Sequence, residues 1–240
     1  MLPFVANAVR AVPKQKVPLI ILTGFLGTFF PAYLFCIAET RIDSAVVGIL
    51  NALTPLFTIL IGVLIFKNTV TGQKWLGVIT GLTGLVLLLF AGRGPLNSAG
   101  SSFGFFVLLA TIFYAINVNL VNRYLKSLSI KDITAISLCS LLIPSLIILW
   151  FTNYFRSGML SEAKLNATTA SIILGLFGTA IGTLLFYTLI KRAGLVFSSM
   201  VTYGIPFVAL SWGLLDGEQI NFLQLVCLCV ILAGVYLTNK

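Results

Sequence analysis

The chain has no histidine, and only six of its 240 residues are Asp or Glu. Its four cysteines, Cys36, Cys139, Cys227 and Cys229, form no Cys-x-x-Cys pair. Cys227 and Cys229 lie two apart, so on a helix they point about 200° apart and make a poor disulfide or metal pair. All four fall in apolar sequence and read as small hydrophobes. These absences exclude a metal cluster and a nucleophile–base pair, so no metal, no cofactor and no enzymatic activity is expected. Charge is scarce too, at 9% of residues, with a net charge of +9 at pH 7. The positive residues stand singly in short stretches rather than in a patch, so nucleic acid is not an expected partner. Met1–Val9 is apolar but carries no basic leader and no clear cleavage site, so it does not read as a signal peptide.

What fills the chain is apolar sequence. Eight charge-free runs cover 17–38, 44–66, 75–92, 94–122, 133–155, 165–190, 193–215 and 219–239. Each is 18 residues or longer, and a helix rising ~1.5 Å per residue needs about 20 residues to cross a hydrocarbon core of ~30 Å. A transmembrane β-barrel would instead show polar–apolar alternation in segments of about 10 residues. The expected fold is therefore an all-α polytopic membrane protein with eight transmembrane helices, its partner being the lipid bilayer.

The charges between runs give an orientation. With the N-terminus inside, the inner segments carry Arg10, Lys14, Lys16, Lys67, Lys74, Arg123, Lys126, Lys131, Lys191, Arg192 and Lys240. The outer ones carry Arg41, Arg93, Arg156 and Lys164. Eleven against four is a positive-inside bias over short loops, so both termini are expected in the cytoplasm.

The sequence also repeats itself at an offset of 151 residues. Gly24, Gly27 and Thr28 meet Gly175, Gly178 and Thr179, Pro55 meets Pro206, Gly62 meets Gly213, and Gln73 meets Gln224. The repeat relates runs 1–3 to runs 6–8. Five runs separate each helix from its copy, and an odd number implies opposite directions through the bilayer. Such an inverted repeat is a common architecture of secondary transporters. It divides the chain into a first repeat over 1–92 with three helices and a second over 103–240 with five. Runs 4 and 5 have no counterpart in the first half. By the same offset Met1–Val9 would be the tail of a further helix, and a complete form would hold ten spans.

These residues resemble the ten-helix, EamA-type members of the drug/metabolite transporter superfamily. The resemblance rests on Gly24-x-x-Gly27-Thr28, Ala45-Val46-Val47-Gly48, Thr54-Pro55-Leu56-Phe57 and Gly77-Val78-Ile79-x-Gly81 in the first half. In the second half it rests on Gly175-x-x-Gly178-Thr179, Tyr187, Lys191-Arg192-Ala193-Gly194, Tyr203-Gly204-Ile205-Pro206, Gly217-Glu218 and Ala233-Gly234-Val235. The resemblance implies a secondary transporter of small organic solutes in a bacterial inner membrane, an exporter of metabolites or drug-like compounds working by alternating access. The family often closes the fourth helix of each repeat with Gly-Glu. Here the second half has Gly217-Glu218, but the first reads Phe66-Lys67.

Helix breakers at matched places in two repeats point to a transporter's binding site. Pro55 and Pro206 are such a pair, each removing a backbone hydrogen bond in mid-span. Around them, Asn51 and its repeat mate Thr202, Tyr203, and Tyr114 with Asn117 on one side of helix 4 are expected cavity residues. Asn51 could instead satisfy carbonyls freed by the proline. Tyr187 reads as a cavity wall or an interfacial aromatic, and Trp212 as an interfacial one. Helices 2, 4 and 7 are thus expected to line a substrate cavity. Gly77-x-x-x-Gly81 and Gly178-x-x-x-Gly182 fit close helix contact, because no strand precedes either to make a phosphate loop. No charge lies mid-span, so neither a buried proton relay nor the paired cations of a sugar-phosphate exchanger is visible. The rival to a carrier is an inactive fragment or non-transporting scaffold. The gap opposite helix 4 would be filled by another copy, as a homodimer, or by a partner.

Overall fold

The computed structural model describes residues 2–69, 71–90, 100–152, 154, 162–200, 204–218 and 220–239. A short helix, Leu2–Ala11, precedes eight helical segments that follow the apolar runs. We label these α1 (Lys14–Glu39), α2 (Ser44–Leu64), α3 (Gly72–Phe90), α4 (Gly100–Tyr124) and α5 (Ile130–Phe151). In α6 the stretches Glu162–Ile173, Leu174–Ile181 and Gly182–Met200 follow one another without a break. The last two are α7 (Gly204–Leu215) and α8 (Phe222–Asn239). No strand occurs among the described residues. All-helical structure is what a lipid environment demands of a chain without a closed sheet, because every backbone polar group must be satisfied within its own segment.

Among the described residues five helices are long and apolar enough to cross a membrane: α1, α2, α4, α5 and the Leu165–Arg192 part of α6. Gly72–Leu88, Gly204–Leu215 and Phe222–Leu237 are apolar but shorter. The sequence places a boundary between runs 6 and 7 at Lys191-Arg192. The helix instead continues through these residues to Met200, so α7 begins only at Gly204. Two cations do not stop a helix that has no proline or unfavourable backbone position there.

The most deeply buried helix is α2, with Ile49, Leu50 and Leu53 fully enclosed. It breaks at Ala52–Leu53 into Ser44–Asn51 and Thr54–Leu64. The cause is Pro55, which has no N–H to offer the Asn51 carbonyl one turn back. The Thr54 hydroxyl donates to that carbonyl instead, at 2.8 Å.

Lipid is as apolar as a leucine side chain, so helices here associate by packing and interhelical hydrogen bonds. The most extensive contact joins α3 to α8. Gly234 rides on the α3 backbone, where an added Cβ would overlap Gly81 and lie 2.7 Å from the Gly77 carbonyl oxygen. The expected close contact at Gly77-x-x-x-Gly81 is therefore present. The first part of α2 packs on α7 with Gly48 against Ala209 and Pro206. Both contacts join a helix to its own repeat mate. Elsewhere α1 packs on α4 and α5, the second part of α2 packs on α4, and Leu2–Ala11 lies against α5.

At the end of the molecule where α2 and α4 finish, cations hold helix C-termini. The Lys16 ammonium donates to the Tyr124 carbonyl at 3.0 Å, Lys191 to that of Leu128, and Arg123 to that of Phe66. Positive groups at helix C-termini complement the macrodipole and satisfy orphan carbonyls. Cations at the helix ends thus tie helices together.

Candidate functional site

The repeated Gly-x-x-Gly-Thr motif has a structural signature. In α1 the stretch Phe25–Phe29 is wound as a π-type turn, and in α6 so is Leu174–Ile181. Carried over by the repeat offset, the first stretch falls within the second. Such widened turns are rare and gather at functional sites.

Both turns border a cavity of about 340 Å³. Its walls are Gly27 of α1, Asn51 and Thr54 of α2, Tyr114, Asn117 and Val118 of α4, Gly178, Gly182, Thr183, Phe186 and Tyr187 of α6, and Ile205 of α7. Four expected residues, Asn51, Tyr114, Asn117 and Tyr187, meet there. Pro55 and Pro206 are buried beside it without lining it. Thr202 and Tyr203 lie outside the described residues. Trp212 is 61% exposed on the outer surface of α7, where an interfacial aromatic would sit.

Hydrogen bonding orients the two amides. The single Thr54 hydroxyl hydrogen is shared between the Asn51 carbonyl and Asn51 Oδ1, the latter at 3.1 Å, so the residue that relieves the proline break is Thr54, not Asn51. The Tyr187 hydroxyl donates to Asn117 Oδ1 over 3.5 Å. Both amide oxygens are thereby engaged as acceptors, and their NH₂ groups have no protein partner among the described residues. Gly27 makes room for one of them, because a Cβ there would collide with the Asn117 amide. Asn119, on the other side of α4, is structural. Its amide donates to the Thr58 and Ala115 carbonyls, each at 2.9 Å, and ties α4 to α2.

Two things escape a reading of the sequence. Helix α1 lines the cavity at Gly27 as well as α2, α4, α6 and α7, and the paired Gly-x-x-Gly-Thr motifs were the signal for it. Among the described residues, Gly178 and Gly182 do not mediate the helix contact expected of them: added Cβ atoms there would meet only their own helix, at Leu174 and Phe177. No charged side chain lines the cavity, and no group of His, Cys, Asp or Glu suited to a metal occurs among the described residues.

The sequence pattern of the EamA-like transporter family matches residues 1–90 and 102–240. The chain belongs to that family. It is 28% identical to the "Uncharacterized transporter YdfC" of Bacillus subtilis over 98% of this chain and 75% of that protein. It is 24% identical to a "Probable amino-acid metabolite efflux pump" of Salmonella typhimurium over 96% of this chain and 80% of that one. A protein of the same description from Escherichia coli is 25% identical, with 96% and 80% covered. A solved crystal structure shares the fold with a TM-score of 0.54 at 14% identity, over 99% of this chain and 92% of that chain. The chain is an integral membrane protein, and its family and these relatives are transporters by name.

Proposed function

We propose that this chain exports a small neutral or zwitterionic organic solute across a bacterial inner membrane by alternating access. The observation that carries the reading is the cavity itself. It lies where two repeat-matched π-type turns and the α2 break come together, and it presents two amide NH₂ groups and several hydroxyls but no charge. Donors without a counter-charge suit a carbonyl or carboxylate acceptor on a solute that is neutral overall. At about 340 Å³ the volume is at the small end of ligand sites, which span roughly 300–1,000 Å³. The names of the Salmonella and Escherichia relatives support amino-acid metabolites as a substrate class. The test is efflux of a panel of amino acids and their derivatives from cells expressing the chain. Asn117→Leu keeps the volume and removes the donor, so it should abolish the exported signal at equal membrane abundance. Undiminished efflux in that variant would refute the cavity assignment.

The second repeat supports a further part of the proposal. Gly24 and Gly27 of α1 are pressed against α5 and α4, and an added Cβ at Gly24 would lie 2.5 Å from the Ser137 carbonyl oxygen. Among the described residues their mates on α6 are not pressed against another helix. Gly175 has nothing within 4 Å, and Leu174 and Phe177 are 68% and 61% exposed. A helix pair packed there, related to α4 and α5 by the inverted repeat, would close the α6 side of the cavity. In this reading the domains are an incomplete first repeat over 1–92 and a second over 103–240. A version extended by the missing pair would transport faster than the 240-residue chain. Equal rates would reject this part while leaving the cavity reading in place.

A further inference from the structure

The walls of the cavity differ in character. Asn51 of α2 and Asn117 of α4 are only 9% and 4% exposed, and their NH₂ groups have no protein partner among the described residues. A buried amide donor is costly to leave unpaired, so these two groups call for an acceptor in the cavity. Two hydroxyls on its walls are also free among the described residues, those of Tyr114 and Thr183. Thr188, further along α6, instead returns its hydroxyl to the Leu184 carbonyl at 2.6 Å. A hydroxyl that makes no such bond keeps its lone pairs for an ammonium donor.

The α6 wall owes its shape to a missing side chain. Gly182 borders the cavity together with Thr183, Phe186 and Tyr187. All four belong to one regular helical stretch, Gly182–Met200. Gly182 and Phe186 are four apart, as are Thr183 and Tyr187, so the two pairs form adjacent rows on one helix face. A Cβ added to Gly182 would meet only the Phe177 carbonyl oxygen of its own helix, at 3.6 Å. The place of a side chain at 182 is therefore cavity space, with the Phe186 ring one turn further on.

The first repeat uses its own residues differently. The offset carries Gly182 to Pro31 of α1, which is buried and does not border the cavity. Gly27 of α1 does border it, but the Asn117 amide fills the space that a Cβ would take there. Glycine on α1 makes room for a protein group, whereas at Gly182 the room belongs to the cavity.

We infer that Gly182 is the specificity-determining residue of the cavity, and that the solute is an amino acid with an apolar side group. The side group lies over Gly182 against Phe186. The carboxylate meets the Asn51 and Asn117 amides, and the ammonium meets the Tyr114 and Thr183 hydroxyls. The inference rests on the cavity as the solute site, and Gly182 sets how large a side group that site accepts.

The test is equilibrium binding of labelled alanine, valine and leucine to the purified chain in liposomes. An apolar pocket discriminates by about 10–200-fold per methylene, so the parent should bind leucine at least about 10-fold more tightly than alanine. In Gly182→Ala the new methyl displaces no neighbour, so the helix is kept. This variant should lose about 10-fold or more in leucine affinity and bind alanine as the parent does. Gly182→Val should extend the loss to valine. Gly175→Ala, on the same helix but off the cavity, should keep the parent's order of affinities. If Gly182→Val does not fold, Gly182→Ala decides the matter alone. A parent that binds alanine and leucine equally, or binds neither, overturns the inference. So does a Gly182→Ala variant with unchanged leucine affinity or with equal losses for both solutes. Asn117→Leu reads the underlying cavity assignment separately, because it should weaken alanine and leucine alike. Full affinity for both in that variant rejects the cavity as the binding site, whatever the glycine variants do.

Discussion

Replace Gly24 and Gly175, one at a time, by alanine. The two are repeat mates in helices of similar sequence, so intrinsic helix propensity favours alanine at both by about 1 kcal/mol. Their surroundings differ. At Gly24 the new methyl would sit 2.5 Å from a backbone oxygen of α5 and 3.1 Å from its carbon, atoms that yield only if α1 and α5 move apart. Overpacking of this kind costs typically 1–3 kcal/mol, so Gly24→Ala is destabilising on balance by up to about 2 kcal/mol. At Gly175 the methyl meets nothing within 4 Å, so the propensity gain of about 1 kcal/mol survives. The expected difference between the variants is on the order of 1–3 kcal/mol in opposite directions from the parent. Thermal unfolding of the detergent-solubilised protein, followed by a fluorescent thiol probe and by far-ultraviolet dichroism, reads both variants under one protocol. If Gly175→Ala loses as much stability as Gly24→Ala, α6 is covered in solution, and the open face described above is wrong.

Cysteines placed at 70 and 128 should react with an impermeant thiol reagent only from the cytoplasmic side, and those at 97 and 160 only from outside; a mixed pattern defeats a single orientation. Asp43→Asn should raise the melting temperature slightly at pH 7.5. The folded protein holds the Asp43 proton more tightly than the unfolded chain does, so ionisation at neutral pH works against the fold. The gain should fade as pH falls through the raised Asp43 value, where the parent is protonated as well, and a gain that grows in acid would reverse the sign. Asn119→Leu leaves the Thr58 carbonyl without its donor and should cost about 1 kcal/mol, since interhelical bonds in membranes are worth roughly 0.6–1.7 kcal/mol. No change in unfolding would make that bond idle.

Hydropathy revealed where helices lie, because the apolar runs and the helical segments coincide along nearly the whole chain. It could not reveal the continuation of α6 through Lys191 and Arg192, since charge interrupts a hydropathy trace without interrupting a helix. The 151-residue offset brought out Pro55, and the α2 break is there for the reason proline always gives. The same offset marked Gly27 and Gly178, but a glycine pair has the same spelling whether it meets another helix or borders a cavity. Gly81 turned out to do the first and Gly178 the second. The bonds between Glu218 and the start of α2 were hidden for a related reason. The partners of Glu218 are backbone N–H groups 174 and 173 residues away, which have no side-chain identity to read. Asn51, Tyr114, Asn117 and Tyr187 could be gathered because polar groups in an apolar span avoid lipid, and all four border one cavity.

The contacts of α3 with α8, and of α2 with α7, put each helix against its own copy. Two identical subunits meeting face to face would make the same kind of interface, but there every substitution appears twice. In a single polypeptide the two sides are free to diverge. The Gly81–Gly234 contact shows the divergence directly, because the offset mates of these residues are Leu232 and Thr83. One of the two offset-related positions carries the smallest residues while the other carries Leu232 and Thr83. A mutation at this seam therefore alters one contact, not two.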